Sequence, residues 1–217
     1  NIGGGIYING NNTLIQSCVI KNNQGFYGGG VGYTSVSSCK IENSIINSNT
    51  MTYDLGGYGG NRGGSGIYID NSSIEISNCT IADNTFSNSG ANGGVFGMRG
   101  VSVNFNNSII WGNSGYYQVY FGSDGNDAVG ITVNNNCIQG QQMYYNIPAY
   151  GIGAMNSGML GGNPPTGSNN INDNPAFVNS DGGDYSLLDY SPAIGAGTTT
   201  GAPTTDITGV PNSRPMP

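Results

Sequence analysis

The sequence Ile74-Glu75-Ile76-Ser77-Asn78-Cys79-Thr80-Ile81-Ala82-Asp83-Asn84 (residues 74–84) recurs in related form as Val103-Asn104-Phe105-Asn106-Asn107-Ser108-Ile109-Ile110-Trp111-Gly112-Asn113 (residues 103–113). The same frame fits residues 39–49 and 131–141 and, more loosely, residues 13–23. Within each copy, apolar and polar residues alternate with the period of two expected of a strand with one buried face. The copies end at positions 23, 49, 84, 113 and 141, so the steps are 26, 35, 29 and 28 residues. Repeats of this length, built from short strands, predict an all-β solenoid of about five coils.

Alignment of the five copies gives three apolar columns and one column of small residues. Members of one column are expected to stack about 4.8 Å apart in a parallel sheet. The apolar columns hold Ile20, Ile46, Ile81, Ile110 and Ile138; Ile15, Ile41, Ile76, Phe105 and Val133; and Thr13, Cys39, Ile74, Val103 and Ile131. The small column holds Cys18, Ser44, Cys79, Ser108 and Asn136.

Two polar columns are equally regular. Asn tolerates the left-handed backbone of a turn, and its amide can bond to the copies above and below, so both columns predict turns between short strands. One column holds Asn43, Asn78, Asn107 and Asn135, with Ser17 first; the other holds Asn23, Asn49, Asn84 and Asn113, with Gln141 last. Gly-rich segments at 3–5, 28–30, 64–66 and 93–94 precede the first four copies and predict a backbone bend before another strand.

The unequal steps place insertions at Met51–Gly63 and Tyr116–Gly130, and such loops are where a specific function is expected. Residues 1–160 are therefore predicted to form the coils, with insertions near 51–63 and 116–130. The repeat fades after about residue 160. Residues 161–217 are predicted to form an irregular segment that packs on the coils.

Four motifs in this C-terminal segment carry a resemblance to a known family. They are Asn174-Pro175-Ala176-Phe177, Gly183-Asp184-Tyr185-Ser186-Leu187, Ser191-Pro192-Ala193-Ile194-Gly195-Ala196-Gly197 and Asp206-Ile207-Thr208-Gly209. The segment resembles the tail of pectate-lyase-like β-helix proteins of bacterial surfaces, including those of the choice-of-anchor type. It departs at Gly195, where that family usually has Asp. The Gly-Gly-Gly-Ile and Ile-x-x-Asn pieces of the repeat are similar to the repeats of polymorphic outer-membrane adhesins.

The resemblance implies a right-handed parallel β-helix with a loop-rich C-terminal cap, located outside the cell or on its surface. It carries over no catalytic residue.

Charge and composition exclude several classes of partner. The net charge is −7 with only five basic residues, which argues against binding to nucleic acid or to an anionic membrane surface. No stretch approaches the roughly 20 apolar residues of a membrane-spanning helix. The four Cys show no CxxC spacing and the chain has no His, which makes a zinc site improbable. Buried free thiols are expected at Cys18, Cys39 and Cys79, and the state of Cys137 is left open.

Catalysis needs groups that the repeat does not assemble. Polysaccharide lyases of this fold use a Lys or Arg base beside Ca²⁺, and hydrolases use paired carboxylates. The acidic residues of the repeat are scattered, and the alignment places only Glu42 and Glu75 in a shared outward column. The chain is therefore predicted not to be an enzyme, with polysaccharide cleavage as the main enzymatic alternative.

One acidic cluster is a candidate metal site. Asp124, Asn126 and Asp127 resemble half of a Ca²⁺-binding repeat, so calcium is the one cofactor considered, although an exposed Asp/Asn/Gly turn is the simpler interpretation. The sequence 181–184, Asp-Gly-Gly-Asp, is interpreted as a structural turn.

Aromatic residues form a second candidate site, for surface recognition. The members are Tyr116, Tyr117, Tyr120 and Phe121. Exposed rings could stack on sugars or anchor protein contacts, but an insertion that folds back would bury them. Tyr7 and Tyr68 are expected to face outward, and Trp111 is expected to lie beneath a neighbouring loop.

The sequence therefore predicts a non-catalytic extracellular structural or adhesive protein. Solenoid ends are open sheet edges, so such a chain could associate with itself head to tail as a filament subunit, or bind a cell-surface or glycan partner. The alternative is a carbohydrate-binding or polysaccharide-cleaving module.

Overall fold

The structure is a computed structural model that describes most of the chain. The described residues are 2–52, 63–87, 93–115, 117–121, 130–141, 143–147, 151–156, 159–161 and 169–210.

Short strands follow one another around each coil, separated by bends of one or two residues. The first coil holds β1 (Ile6–Ile8), β2 (Leu14–Gln16), β3 (Val19–Lys21) and β4 (Gln24–Gly25); the second holds β5 (Val31–Thr34), β6 (Cys39–Glu42), β7 (Ile45–Asn47) and β8 (Thr50–Met51). The third holds β9 (Ile67–Asp70), β10 (Ser73–Ser77), β11 (Thr80–Ala82) and β12 (Thr85–Phe86). The fourth holds β13 (Val95–Met98), β14 (Ser102–Asn106) and β15 (Ile109–Trp111); the fifth holds β16 (Val119–Phe121), β17 (Gly130–Asn134) and β18 (Cys137–Ile138).

Corresponding strands of successive coils pair in parallel and form the faces of a right-handed solenoid. The first sheet contains β1, β5, β9, β13 and β16; the second contains β2, β6, β10, β14 and β17; the third contains β3, β7, β11, β15 and β18; and the short fourth contains β4, β8 and β12. Three of the sheets hold one strand from each of five coils, and passing from the first coil to the fifth takes about four full turns of the chain. The count is therefore slightly lower than the predicted value of about five.

The register of the sheets confirms the predicted interior. In the third sheet Ile46 pairs with Ile20 on one side and with Ile81 on the other. In the second sheet Ile41 pairs with Ile76 in the same way. These side chains are buried in one continuous core, and burial of each isoleucine is worth about 2 kcal/mol.

The interior of the first sheet holds one residue that the sequence analysis placed elsewhere. Phe121, a candidate surface-recognition residue, is fully buried on β16, so it is not exposed for recognition and the alternative of buried rings applies to it. It lies beside Gly97 of β13, where an added Cβ would be 2.7 Å from the Phe121 ring. The missing side chain at Gly97 makes room for the large ring, so the two positions together fill the core.

The two ends of the solenoid differ. At the C-terminal end the 3-10 turn Gln139–Gln141 leads to β19 (Met143–Ile147), which pairs in parallel with β16. The strands β20 (Gly151–Asn156) and β21 (Met159–Gly161) then add to this sheet in antiparallel fashion. At the N-terminal end, by contrast, β1 to β4 each have a strand neighbour on one side only among the described residues.

Residues 169–210, here called the C-terminal segment, pack on the side of the solenoid. Ile171 continues the third sheet beyond β18 through a parallel bridge to Cys137. The strands β22 (Phe177–Asn179) and β23 (Asp184–Leu187) form an antiparallel hairpin, and the remainder to residue 210 consists of turns and extended chain.

Candidate functional site

One predicted polar column is a buried hydrogen-bond ladder, here called the Asn ladder (Asn23, Asn49, Asn84, Asn113). The Asn49 Oδ1 accepts from the backbone N and from the Nδ2 of Asn23, both at 3.0 Å. The Asn84 Oδ1 accepts from Asn49 in the same way, and the Asn113 Oδ1 accepts from Asn84. Each Nδ2 from Asn49 onward also donates to a carbonyl of the preceding coil, as Asn84 does to Ile46 at 2.9 Å. The ladder therefore satisfies the backbone at a buried corner.

The ladder ends at a residue that the alignment missed. The Oε1 of Gln118 accepts from the backbone N and the Nδ2 of Asn113, at 3.2 and 2.9 Å, and its Nε2 returns a bond to the Asn113 carbonyl at 2.9 Å. Gln141, predicted as the last member, lies in the 3-10 turn instead. Because Gln118 lies only five residues after Asn113, no fixed step could reveal it.

The second polar column, here called the anchor column (Asn43, Asn78, Asn107, Asn135), holds the C-terminal segment. Its members have φ between 48° and 55°, the left-handed turn conformation that was predicted for them. The amide of Asn107 donates to the Thr198 carbonyl and accepts from the Thr198 backbone N, at 2.8 and 2.9 Å. Asn43 donates to the Thr205 carbonyl at 2.8 Å. The column therefore binds extended backbone as a second chain layer.

A cavity of about 400 Å³ lies between this column and the C-terminal segment. On the solenoid side its wall includes Ile45, Thr80 and Ile109, which occupy one outward column of the third sheet. On the other side it includes Leu187 and Ile194 of the C-terminal segment.

Tyr185 attaches the hairpin of the C-terminal segment to the solenoid. Its hydroxyl donates to the Asp83 carboxylate at 2.8 Å. Burial, together with this hydrogen bond, raises the pKa of Tyr185 to about 12. Trp111 lines a second pocket against Phe177 and Tyr190, as expected of a side chain beneath a neighbouring loop.

The largest group of charges lies on the outward face of the second sheet. Lys40 Nζ contacts Glu42 at 2.8 Å and Glu75 at 3.1 Å, and Gln16 donates to Glu42 at 2.7 Å. The register pairs Glu75 with Lys40, and Glu42 with Ser77, so the prediction that Glu42 and Glu75 share a column is wrong. In the register of the sheet, Glu42 on β6 lies two positions beyond the residue that pairs with Glu75 on β10.

This group does not provide the base of a lyase. A lysine base must lose its proton near neutral pH, which requires a lowered pKa. The hydrogen bond that Lys40 donates to Glu42 instead raises the pKa of Lys40. Burial alone would lower this pKa, but its effect is the smaller one. Lys40 is thus held as a cation between two carboxylates.

Comparison with known families identifies the architecture. The sequence matches the family described as "Right handed beta helix region" over residues 4–191. The chain belongs to this family. Right-handed β-helix proteins include enzymes, such as pectate lyases and glycosidases, and non-enzymes, so membership leaves the activity of this β-helix open. Neither the curated proteins nor the solved structures gave a match.

Aromatic residues of the β-helix stack on the outer face of the first sheet. Tyr27, Tyr68, Phe96 and Tyr120 follow one another with ring centroids 5.0, 5.9 and 5.2 Å apart and nearly parallel planes. Tyr68 and Tyr120 face outward yet are buried by their neighbours. Tyr120 is therefore not an exposed recognition residue, and the alternative of buried rings applies to it.

The other predicted aromatic residues have different environments. Tyr7 is exposed on β1, as expected. Tyr117 is half-buried, and its ring centroid lies 6.0 Å from that of Tyr120. Tyr116 lies outside the described residues.

All four cysteines of the β-helix are free thiols. Cys39 and Cys79 are buried in the core, as predicted, whereas Cys18 is only partly buried. Cys137 is also buried, and its Sγ lies 3.3 Å from the Asp173 carbonyl. Burial raises the pKa of both the Cys79 and the Cys137 thiol to about 12.

The candidate calcium ligands Asp124, Asn126 and Asp127 lie outside the described residues. Within the part of the chain that the structure describes, no three His, Cys, Asp or Glu side chains come together as metal ligands. The 181–184 sequence forms a turn, in which the Gly182 and Gly183 N–H groups bond to the carbonyls of Asn179 and Ser180. The described residues also contain no helix long and apolar enough to cross a bilayer.

Proposed function

We propose that this β-helix is a non-catalytic structural or adhesive module, located outside the cell or on its surface, that makes its contacts through the first coil. The observation that carries the proposal is the exposure of apolar side chains on that coil. Tyr7, Leu14, Val19 and Phe26 are 49, 53, 55 and 40% exposed, and they account for four of the seven large exposed apolar side chains of the described residues. These side chains lie on different faces of the first coil, so they surround the open end of the solenoid, and contacts made at that end would cover exposed apolar surface.

The hydrogen bonds of the first coil point to the same surface. Asn23 donates to Asn49 and to the Lys21 carbonyl, yet among the described residues no donor reaches its Oδ1. In the later coils the equivalent oxygen accepts two hydrogen bonds. Together with the outer edges of β1 to β4, which have no strand neighbour among the described residues, this oxygen offers an incoming strand the same acceptor that each later coil offers to the coil before it.

The proposal that the module is non-catalytic rests on the charged groups. Lys40 is held between two glutamates, and Arg99 forms a two-pronged ion pair with the buried Asp70. An ionisable group engaged in this way is already satisfied by its partners and is not poised for proton transfer. The extracellular location rests on the resemblance of the tail motifs.

A filament that grows head to tail would need both ends of the solenoid. The antiparallel β20 and β21 occupy the C-terminal edge of the first sheet, and Ile171 occupies part of the third. These contacts favour self-association through the first coil alone, as a pair of copies related by a two-fold axis.

Analytical ultracentrifugation over a range of concentrations tests this proposal. We expect the unaltered chain to form dimers and the double variant Leu14→Lys/Val19→Lys to remain monomeric, because lysines beside an open edge oppose strand pairing. Tyr190→Lys, which adds one charge at an exposed site on the C-terminal segment, should still dimerise. Monomers of the unaltered chain at every concentration would refute the self-association.

The catalytic and carbohydrate-binding alternatives need separate assays. The unaltered chain is incubated with acidic polysaccharides and Ca²⁺, and unsaturated products and new reducing ends are measured. Product release would refute the non-catalytic function. If the double variant Leu14→Lys/Val19→Lys still bound glycans on an array, the recognition surface would lie outside the first coil.

A further inference from the structure

The cavity beneath the C-terminal segment is larger than ordinary packing leaves inside a protein. Its volume of about 400 Å³ falls within the usual range of small-molecule sites, about 300–1,000 Å³. Side chains in protein interiors normally leave few voids larger than a water molecule. A space of this size between two packed layers is therefore a candidate ligand-binding site.

Small residues on both walls produce the space. Along the outward column of the third sheet Thr80 lies between Ile45 and Ile109, so the middle of the wall is lower than its two ends. The opposite wall includes Ala193, Gly195, Ala196, Gly197 and Ala202. Small side chains thus lie on both walls of the cavity, and larger apolar side chains lie beside them.

Several polar groups around the cavity are engaged within the protein. Asn107 exchanges two hydrogen bonds with Thr198, and Asn43 donates to Thr205. The Ser108 hydroxyl donates to the Asn106 carbonyl, and the Asp206 carboxylate accepts bonds from its own turn. Among the described residues that line it there is neither Lys nor Arg, and its one carboxylate, Asp206, is engaged in its own turn. What remains for a ligand is mostly aliphatic surface.

From this lining we propose that the cavity binds a compact, uncharged and largely apolar molecule. An anionic ligand would lose its hydration and meet no Lys or Arg of the described lining, and a cation would have to compete with the turn that already engages Asp206, so a charged ligand is disfavoured by its desolvation. An apolar ligand of one or two rings gains contact with Ile45, Ile109 and Ile194 and replaces water that the walls hold poorly. The site is independent of the first coil and of its contacts.

The uncharged fluorophore N-phenyl-1-naphthylamine serves as the probe, because its emission rises when it leaves water. We expect saturable binding to the unaltered chain and a concentration-dependent rise of the melting temperature. Thr80→Trp, which places an indole in the cavity, should raise the Kd at least tenfold. Thr80→Val, which keeps the size of the side chain and replaces its hydroxyl with a methyl group, should bind as tightly as the unaltered chain or up to about fourfold more tightly.

Two further variants keep the test decisive. Ala202→Phe fills the cavity from the opposite wall and should also raise the Kd at least tenfold, even if Thr80→Trp fails to fold. Val178→Lys replaces an exposed apolar side chain that does not line the cavity and should leave the Kd unchanged. Equal binding by Ala202→Phe and the unaltered chain, loss of binding in Val178→Lys, or no saturable fluorescence at all would each overturn the proposal.

Discussion

The interior of the Asn ladder offers the sharpest test of what holds the coils together. Asn84 is fully buried, and its amide makes four hydrogen bonds: its Oδ1 accepts from the N and Nδ2 of Asn49, and its Nδ2 donates to Asn113 and to the Ile46 carbonyl. The substitution Asn84→Ala removes all four together.

The expected loss follows from the groups that are left behind. The Asn49 Nδ2 still donates to the Ile20 carbonyl, and the Asn113 Oδ1 still accepts from the Asn84 backbone N. The Asn49 N–H loses its bond to Asn84, whereas the Ile46 C=O loses one bond but stays within the parallel pairing of β7 with β11. A buried polar group without its partner costs about 1–3 kcal/mol and each further lost hydrogen bond about 1 kcal/mol, so Asn84→Ala should lower the free energy of unfolding by about 2–4 kcal/mol.

Asn23→Ala is the matched control, because it removes the same side chain at the open end of the ladder. Asn23 is only half-buried, and the Asn49 Oδ1 keeps its bond from the Asn23 backbone N. We expect a loss of about 1 kcal/mol. Urea unfolding followed by circular dichroism measures both variants. If Asn84→Ala costs no more than Asn23→Ala, the ladder does not stabilise the coils in this way.

Three further predictions concern the charged groups, the thiols and the attachment of the C-terminal segment. Asp70→Asn should lower the free energy of unfolding by about 1–2 kcal/mol in urea, a value reduced because Arg99 is more than half exposed; an unchanged midpoint would contradict a stabilising pair. Cys79, whose pKa is raised to about 12 by burial, should not react with Ellman's reagent at pH 8 until urea unfolds the chain; the measurement uses a Cys18→Ser variant, because Cys18 is only partly buried, and rapid labelling of the native variant would contradict the burial of the remaining thiols. Tyr185→Phe should accelerate proteolysis of the C-terminal segment at pH 8, because the bond to Asp83 is lost. Folding raises the pKa of Tyr185 from about 10 to about 12, so the stabilising effect of its neutral hydroxyl is complete below about pH 10 and disappears as the pH rises towards 12. If Tyr185→Phe were still less stable than the unaltered chain above about pH 12, this role of the hydroxyl would be contradicted.

Periodicity was sufficient to predict the parts of the fold that repeat. Each coil must bury its apolar face against its neighbours, so equivalent residues are forced into columns, and the paired register of Ile46 and Ile81 confirms this. The φ values of the anchor column follow from the same reasoning, since Asn tolerates a left-handed turn. The positions of these side chains are thus readable from one sequence.

Features that occur once could not be read in this way. Residues 119–121 form a strand of the first sheet inside a stretch that was assigned to an insertion, so the burial of Phe121 was missed. The pairing of Asn107 with Thr198 joins residues 91 positions apart, without any repeated signal. The cavity depends on this pairing and on the small residues opposite Thr80, so only the packed structure reveals it.

The direction of the Asn ladder also limits how copies of this β-helix can join. Asn23 exposes an acceptor, so a strand added to the first coil must bring donors of its own. At the other end Gln118 is itself buried, and one N–H of its amide turns back to the Asn113 carbonyl, so Gln118 is not exposed to meet the Asn23 of a second copy. The free N–H groups along the edge of another first coil can supply donors instead, in a contact that is complete once two copies have met. Association through the first coil should therefore stop at pairs, and electron micrographs that show fibres of increasing length would contradict this polarity argument.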